Sequence, residues 1–131
     1  MIHKTAIIDP KAKISSSANI GAYTIIGPNV EIDEDTIVQS HVSIVGHTKI
    51  GKKNNIYPFA SIGNDPQDLK FKGEETTTVI GNNTTIRECV TINRGTKHSN
   101  TTIVGDNCFL MAPNAHSLQP EGHWSGGRPG A

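Results

Sequence analysis

The sequence has few of the residues that build an ordinary globular core. Hydrophobic residues occupy 34% of the 131 positions and aromatic residues 5%. A sandwich or an α/β domain of this size usually carries a larger apolar fraction. The apolar residues that are present are rich in Ile and Val, which argues against a disordered chain. A solenoid satisfies both observations, because its core is a thin column along one axis.

Other features that the sequence lacks exclude further classes of protein. Twelve basic residues balance twelve acidic ones, so no positive surplus points to nucleic acid or to an anionic membrane. Cys89 and Cys108 form no C-x-x-C motif and no disulfide framework, which is typical of free thiols in a reducing compartment. Asp9 and Pro10 interrupt the first apolar run, and no run approaches the roughly 20 residues of a membrane span. We therefore expect a cytoplasmic protein without a signal peptide.

Aliphatic residues recur at every sixth position. Between positions 2 and 110, 16 of the 19 hexad positions are aliphatic. They are Ile2, Ile8, Ile14, Ile20, Ile26, Ile32, Val38, Ile44, Ile50, Ile56, Ile62, Ile80, Ile86, Ile92, Val104 and Leu110. The period matches neither a helix nor a heptad, and because it is even an extended chain keeps the same position inward. The pattern predicts an all-β parallel β-helix with three hexads in each coil of about 18 residues.

Two further positions of the hexad are also regular. Small or β-branched residues stand two places before the aliphatic one, as at Ala18, Thr24 and Val30, and they suit a tight space beside the inward Ile. Glycine often follows the aliphatic residue, as at Gly51 and Gly81, and we interpret it as supplying the backbone angles that a corner requires. Val, Ile, Thr, Asn and Gly dominate these repeats, and all are poor helix formers.

The repeat is interrupted twice. Asp68 and Glu74 fall on core positions, where an unpaired carboxylate would be unfavourable, so an excursion from the coil is predicted at about 63–77. A second excursion is predicted at about 94–101, where His98 takes a core position. Long loops on a rigid scaffold often carry function.

The repeat also stops near the end of the chain. After Leu110 the next hexad position is His116, and the pattern does not resume. Residues 113–131 contain three Pro and four Gly, a composition that cannot build a coil. We therefore divide the chain into a β-helix over residues 1–112 and a non-repeat tail over 113–131.

Three local strings are more specific than the hexad. They are Gly46-His47-Thr48-Lys49-Ile50-Gly51 followed by Ile56-Tyr57-Pro58-Phe59-Ala60-Ser61-Ile62-Gly63, then Pro66-Gln67-Asp68-Leu69-Lys70-Phe71, and finally Ile86-Arg87-Glu88-Cys89-Val90-Thr91-Ile92-Asn93-Arg94-Gly95-Thr96. In this order, residues 1–112 resemble the UDP-N-acetylglucosamine O-acyltransferases, the hexapeptide-repeat family that begins lipid A synthesis. The hand of the coil does not follow from the period, and the resemblance implies a left-handed one.

The resemblance implies a reaction and its participants. Such enzymes transfer a 3-hydroxyacyl chain from acyl carrier protein to the 3-hydroxyl of UDP-N-acetylglucosamine. They are homotrimers that need no metal or other cofactor, and a histidine acts as general base on the sugar hydroxyl. By the match of the second string, Gln67, Asp68 and Lys70 are the candidate substrate-binding residues.

The catalytic motif of the family is matched only in part. It reads Asn-Ala-His, two further residues, and then the general-base His. Asn114-Ala115-His116 fits the beginning if Pro113 is an extra residue, and Gln119 then occupies the position of the base. Without that extra residue, Leu118 falls there instead. The remaining candidates for a catalytic histidine are His116 and, in the same tail, His123. We expect the chain to be truncated and inactive alone.

Two alternatives remain open. One is a non-catalytic β-helix that serves as a scaffold. The other is a zinc enzyme of the γ-class carbonic anhydrase type, which needs three converging histidines. His41 and His47 are one hexad apart and so lie on different faces, while His98 and His116 both fall where the repeat is broken.

Overall fold

A computed structural model describes residues 1–64, 77–93 and 101–112 of the chain, and these residues form short parallel strands without a helix. The strands are β1 (Ile7–Ile8), β2 (Lys13–Ile14), β3 (Asn19–Ile20), β4 (Ile25–Ile26), β5 (Val30–Ile32), β6 (Ile37–Val38), β7 (Ser43–Ile44), β8 (His47–Ile50), β9 (Asn55–Ile56), β10 (Ser61–Asn64), β11 (Thr77–Ile80), β12 (Thr85–Ile86), β13 (Thr91–Asn93), β14 (Thr101–Val104) and β15 (Phe109–Leu110). Most are only two residues long, because each hexad must also turn a corner.

The strands form three parallel sheets of five, and successive strands along the chain belong to successive sheets. Face 1 contains β1, β4, β7, β10 and β13; face 2 contains β2, β5, β8, β11 and β14; face 3 contains β3, β6, β9, β12 and β15. Three hexads therefore complete one rung of a triangular prism. The parallel β-helix predicted from the period of six is confirmed.

The strand pairing gives the length of each rung. Ile7 pairs with Ile25, and Ile25 pairs with Ser43, so these rungs contain 18 residues. Ser61 pairs with Thr91, 30 positions away, and Thr77 pairs with Thr101, 24 positions away. The chain thus inserts 12 and then 6 extra residues without losing the hexad phase, because both insertions are multiples of six.

Both insertions interrupt the chain between face 1 and face 2, which we call the 1–2 corner. The first falls between β10 and β11, and the second between β13 and β14. Strand β10 extends to Asn64, slightly beyond the start predicted for the first excursion. The segments that contain the inserted residues, 65–76 and 94–100, lie outside the described part of the chain.

The core is a column of aliphatic side chains along the prism axis. Within the described rungs, the hexad residues from Ile20 to Leu110 are at most 2% exposed, whereas Ile8 and Ile14 at the amino-terminal end are only partly buried. The smaller residues two positions earlier are buried as well, including Ala18, Val30 and Val42. Each rung therefore buries two side chains per face, as the two sequence columns predict.

Several polar members of the inner columns bind backbone groups that the ladder leaves free at the corners. Asn54 is 1% exposed. Its Nδ2 donates to the carbonyl of Gly81 at 2.8 Å, and its Oδ1 accepts from the backbone N–H of Thr84 at 2.8 Å. Thr84 Oγ1 in turn donates to the carbonyl of Gly105 at 2.8 Å. These bonds connect successive rungs inside the prism and satisfy polar groups that burial would otherwise penalise.

The structure corrects the interpretation of most hexad glycines. Among the described glycines only Gly46 and Gly63 have positive φ, while tyrosine, aspartate, histidine, lysine and other side chains take that conformation at the remaining corners. Gly51 and Gly81 have ordinary angles, but a Cβ on either would collide with the next rung. The sequence preference therefore reflects close packing between rungs more than backbone freedom.

Candidate functional site

The candidate substrate-binding residues and the candidate catalytic residue lie outside the described residues. Gln67, Asp68 and Lys70 belong to 65–76, and His116 belongs to 113–131, with Leu118 and Gln119. The described part of the chain nevertheless locates the points at which the first insertion leaves and rejoins the prism. Those points lie where face 1 meets face 2.

Both insertions leave from neighbouring residues and return to neighbouring residues at the 1–2 corner. Asn64 and Asn93, the last described residues before each insertion, are ladder partners. Thr77 and Thr101, the first residues after them, are also ladder partners, and their Oγ1 atoms are 2.9 Å apart. The two insertions are therefore attached side by side on consecutive rungs. This relation was not predicted from the sequence, although the two threonines are 24 positions apart, a whole number of hexads.

A shallow polar groove runs along face 2. One section has a volume of about 540 Å³ and is lined by Lys13, Glu31 and Lys49 among others. Glu31 pairs in register with Lys13 on one side and with Lys49 on the other, so opposite charges alternate across the rungs. His47 and Thr77 line an adjoining section of about 250 Å³. The groove offers hydrogen-bond donors beside the point where the first insertion returns.

A second surface feature is a stack of three rings at the corner between face 3 and face 1. The His41 ring lies 5.2 Å from that of Tyr23 and 5.1 Å from that of Phe59, measured between centroids. The three residues are 18 positions apart, share positive φ, and are exposed to solvent. Because the three residues are separated by one rung of 18 residues each, the predicted rung length is enough to place them next to one another.

The third feature is an arginine held against aromatic rings on face 3. The Arg87 guanidinium lies 4.4 Å from the Tyr57 ring centroid and 6.0 Å from that of Phe109. Its Nε donates to Glu88 Oε1 at 3.0 Å. That hydrogen bond lowers the pKa of Glu88 and raises the pKa of Arg87. Both charges are exposed, so the pair orients the arginine and adds little to stability.

The described residues do not assemble a metal centre. Within residues 1–64, 77–93 and 101–112, no three His, Cys, Asp or Glu side chains are placed to hold an ion. His41 stacks between rings at one corner while His47 lies on strand β8, on face 2. Cys89 is exposed and Cys108 is partly buried. In the same ranges no helix is long and apolar enough to cross a membrane.

Comparison with known proteins identifies the class and then the family. Profiles of known protein families give no match. The UDP-N-acetylglucosamine O-acyltransferase of Moraxella catarrhalis superposes with a TM-score of 0.82 at 51% identity, over 84% of this chain and 43% of that one. With its three parallel sheets and its hexad core, the chain is a left-handed parallel β-helix protein of the hexapeptide-repeat class.

Individual sequences narrow the class to one family. The acyl-[acyl-carrier-protein]–UDP-N-acetylglucosamine O-acyltransferase of Thermodesulfovibrio yellowstonii is 53% identical over 112 residues, which cover 85% of this chain and 43% of that protein. The enzyme of the same name from Saccharophagus degradans is 47% identical over 112 residues, with the same coverage of both chains. The chain belongs to the UDP-N-acetylglucosamine O-acyltransferase family. It spans less than half the length of the curated relatives that it matches.

Proposed function

We propose that the β-helix of this chain serves the transfer of a 3-hydroxyacyl group from acyl carrier protein to the 3-hydroxyl of UDP-N-acetylglucosamine, the first step of lipid A synthesis. The observation that carries the proposal is the identity of 53% over 112 residues to a protein whose name states the acyl donor and the sugar nucleotide. A homotrimer in the cytoplasm, without metal or other cofactor, is part of the same proposal.

The substrate-binding part of the proposal concerns the first insertion. Gln67 would donate or accept hydrogen bonds with the sugar nucleotide, Asp68 would accept them, and Lys70 would pair with negative charge on a substrate. The insertion is attached at the 1–2 corner, beside the polar groove of face 2 that includes Lys49 and His47. A rigid prism that holds such a loop restricts where its side chains can act, which favours binding in a defined geometry.

The catalytic histidine of the family has no matching residue in this chain. The sugar hydroxyl must lose its proton as it attacks the thioester, and a histidine near its ordinary pKa suits that task. Gln119 or Leu118 occupies the family position of that histidine, and neither side chain accepts a proton near neutral pH. We therefore expect the chain to bind UDP-N-acetylglucosamine without turnover, unless His116 acts as the base.

The test measures transfer of a radiolabelled 3-hydroxyacyl group from acyl carrier protein to UDP-N-acetylglucosamine, alongside calorimetric binding of the sugar nucleotide. Binding without transfer is the expected result. Transfer that disappears in His116→Ala but persists in His123→Ala would identify His116 as the base. Gln119→His restores a base at the family position and should raise transfer above the wild-type level if the alignment with Pro113 as an extra residue is correct.

Variants of the first insertion test the proposed role of its residues in binding. Lys70→Ala and Asp68→Asn should each weaken binding of the sugar nucleotide, whereas Lys53→Ala, at the corner between face 2 and face 3, should not. A wild-type chain that binds neither UDP-N-acetylglucosamine nor acyl carrier protein would leave the non-catalytic scaffold as the better description.

A further inference from the structure

We propose that the corner between face 3 and face 1, called here the 3–1 corner, is the surface at which copies of this chain pack against one another. The copies would be related by an axis parallel to the prism, with equivalent rungs at the same level. This assignment rests on the homotrimer of the proposed function and gives that assembly a contact surface.

Charged residues are confined to one side of the prism in three consecutive rungs. Residues 18–30, 36–46 and 54–64 contain no Asp, Glu, Lys or Arg, and each of these ranges runs along face 3, around the 3–1 corner and along face 1. The intervening residues 31–35 and 47–53, on face 2 and at the corner that follows it, contain seven. The core of a protein interface is depleted of charge in the same way, so the uncharged side is suited to association.

Exposed apolar side chains lie on the same uncharged side. Tyr23 and Phe59 at the 3–1 corner are 60% and 61% exposed, and both stack on His41 in a row that follows the prism axis. Ile25 on face 1 and Ile37 on face 3 are 45% and 43% exposed. Within residues 1–64, 77–93 and 101–112, every Tyr and Phe lies on face 3 or at this corner. A connected apolar surface of this kind marks a site of association.

The shape of this surface favours a second copy of the chain as the occupant. The three rings repeat with the rung spacing of about 4.8 Å, so an identical row lying parallel to them presents its rings at the same spacing. Rotation about an axis parallel to the prism brings such rows together and closes the assembly, as in most soluble homo-oligomers.

Opposite charges end the uncharged stretch and complement one another between copies. Arg87 and Glu88 are adjacent at the 3–1 corner, one rung beyond Phe59, and the rings of Tyr57 and Phe109 hold the guanidinium in place. With equivalent rungs level, Arg87 of each copy can pair with Glu88 of the next. Such complementary charges fix the register of an interface more than its affinity.

The experiment measures the Kd of self-association by sedimentation equilibrium on the full chain, together with the thermal midpoint. Wild type should form a species of three times the mass of the chain. Ile25→Glu places a charge on the uncharged side and should raise the Kd by about tenfold or more. The matched control is Ile103→Glu, at an outward isoleucine on face 2 that is 37% exposed. It should remain within about twofold of wild type.

A mixing experiment tests the register of the copies. Arg87→Glu brings two carboxylates together between copies, and Glu88→Arg brings two guanidinium groups together, so each variant alone should associate about fivefold more weakly. An equimolar mixture of the two variants restores opposite charges and should associate more tightly than either variant alone. A mixture that associates no more tightly would overturn the arrangement with level rungs.

The remaining outcomes separate this surface from the proposed function. A wild-type chain that is monomeric but binds UDP-N-acetylglucosamine in calorimetry would overturn the contact surface alone. Equal weakening by Ile25→Glu and Ile103→Glu would also overturn it, because association would then not depend on the uncharged side. An assembly that is sensitive to Ile25→Glu but does not bind the sugar nucleotide would support the surface and overturn the proposed function.

Discussion

Oδ1 of Asn82 accepts a hydrogen bond from the backbone N–H of Lys52, one rung earlier, at 2.6 Å. Asp106 repeats the arrangement on the next rung, where its Oδ1 accepts from the backbone N–H of Asn82 at 2.7 Å. The side-chain oxygens of this ladder lie directly over Gly51 and Gly81, so that neither position has room for a Cβ. The corner between face 2 and face 3 therefore depends on glycine and on Asn or Asp together.

The first prediction concerns this packing. Gly51→Ala should destabilise the chain by about 1–3 kcal/mol, because the new methyl group must displace Asn82 or the backbone beneath it. Gly105→Ala is the matched control, since its Cβ would approach nothing closer than the sulfur of Cys108 at 3.9 Å. Urea denaturation of both variants measures the free energy of unfolding.

The same packing predicts that two substitutions interact. In the double variant Gly51→Ala with Asn82→Ala, the contact with Asn82 Oδ1 is removed while the contact with the Gly81 carbonyl remains, so its loss of stability should be smaller than the sum of the single losses. Additive effects would show that the Asn82 side chain contributes nothing to the collision.

The second prediction concerns Asn54, whose amide bridges two rungs inside the prism. Asn54→Ala leaves the carbonyl of Gly81 and the N–H of Thr84 without their partner, and it should destabilise the chain by about 1–3 kcal/mol. Asn54→Thr should be milder, because Thr36 and Thr84 bind corner carbonyls from the same inner column. Asn55→Ala, at the neighbouring half-buried position, should change stability by less than about 0.5 kcal/mol. Equal effects at the two asparagines would contradict this account.

The third prediction concerns the first insertion. Deleting residues 65–76 shortens the interval between Ser61 and Thr91 from 30 to 18 positions, the length of a regular rung. The variant should therefore fold with its core intact, as measured by circular dichroism and a cooperative thermal transition. It should not bind UDP-N-acetylglucosamine, because Gln67, Asp68 and Lys70 are removed.

Deletion of one further residue, 65–77, provides the control for that prediction. A shift of one position exchanges the inward and outward faces of a strand, so Ile80 would turn away from the core. This variant should lose its cooperative transition or melt at a markedly lower temperature. If the two deletions behave alike, the rung length of 18 does not determine the folding of this chain.

The fourth prediction concerns pH. The hydrogen bond from Arg87 holds the pKa of Glu88 below its ordinary value. A carboxyl group whose pKa is lowered by folding contributes stability above its unfolded pKa, and loses that contribution as the pH falls through the folded pKa. Arg87→Met should raise the pKa of Glu88 in a carbon-detected NMR titration of its carboxyl group. Tyr57→Leu, which keeps the guanidinium donor, should alter it less; a Glu88 titration unaffected by Arg87→Met would show that the pair does not form in solution.

Much of the fold is predictable because the sequence pattern that determines it is local and periodic. One aliphatic residue every six positions places Ile20, Ile26 and Ile32 inward on successive faces, and the structure confirms this along the described rungs. The phase survives both interruptions because 12 and 6 residues are whole numbers of hexads. A count of residues could therefore identify the later core positions without any knowledge of the inserted segments.

Contacts between rungs were less accessible from the sequence. The ring stack of Tyr23, His41 and Phe59 joins residues 18 positions apart, and the bond between Thr77 and Thr101 joins residues 24 apart. The ring stack follows from the rung length of 18 alone, whereas the threonine pair also requires the length of the insertions. The glycines were assigned the wrong cause for the same reason, since the atom that excludes a Cβ at Gly51 belongs to Asn82 on the next rung.

The sequence by itself determined the period, the residues of the core and the family, because hexad spacing and local strings are properties of neighbouring positions. Only the tertiary structure decided which residues meet across rungs. It placed both insertions at the 1–2 corner, paired Thr77 with Thr101, and showed that inner polar side chains such as Asn54 and Thr84 satisfy corner carbonyls. The physical reason is that the rungs stack along an axis perpendicular to the strands. The spacing within one hexad fixes which side chains point inward, but it does not fix which residues of different rungs lie next to each other along that axis.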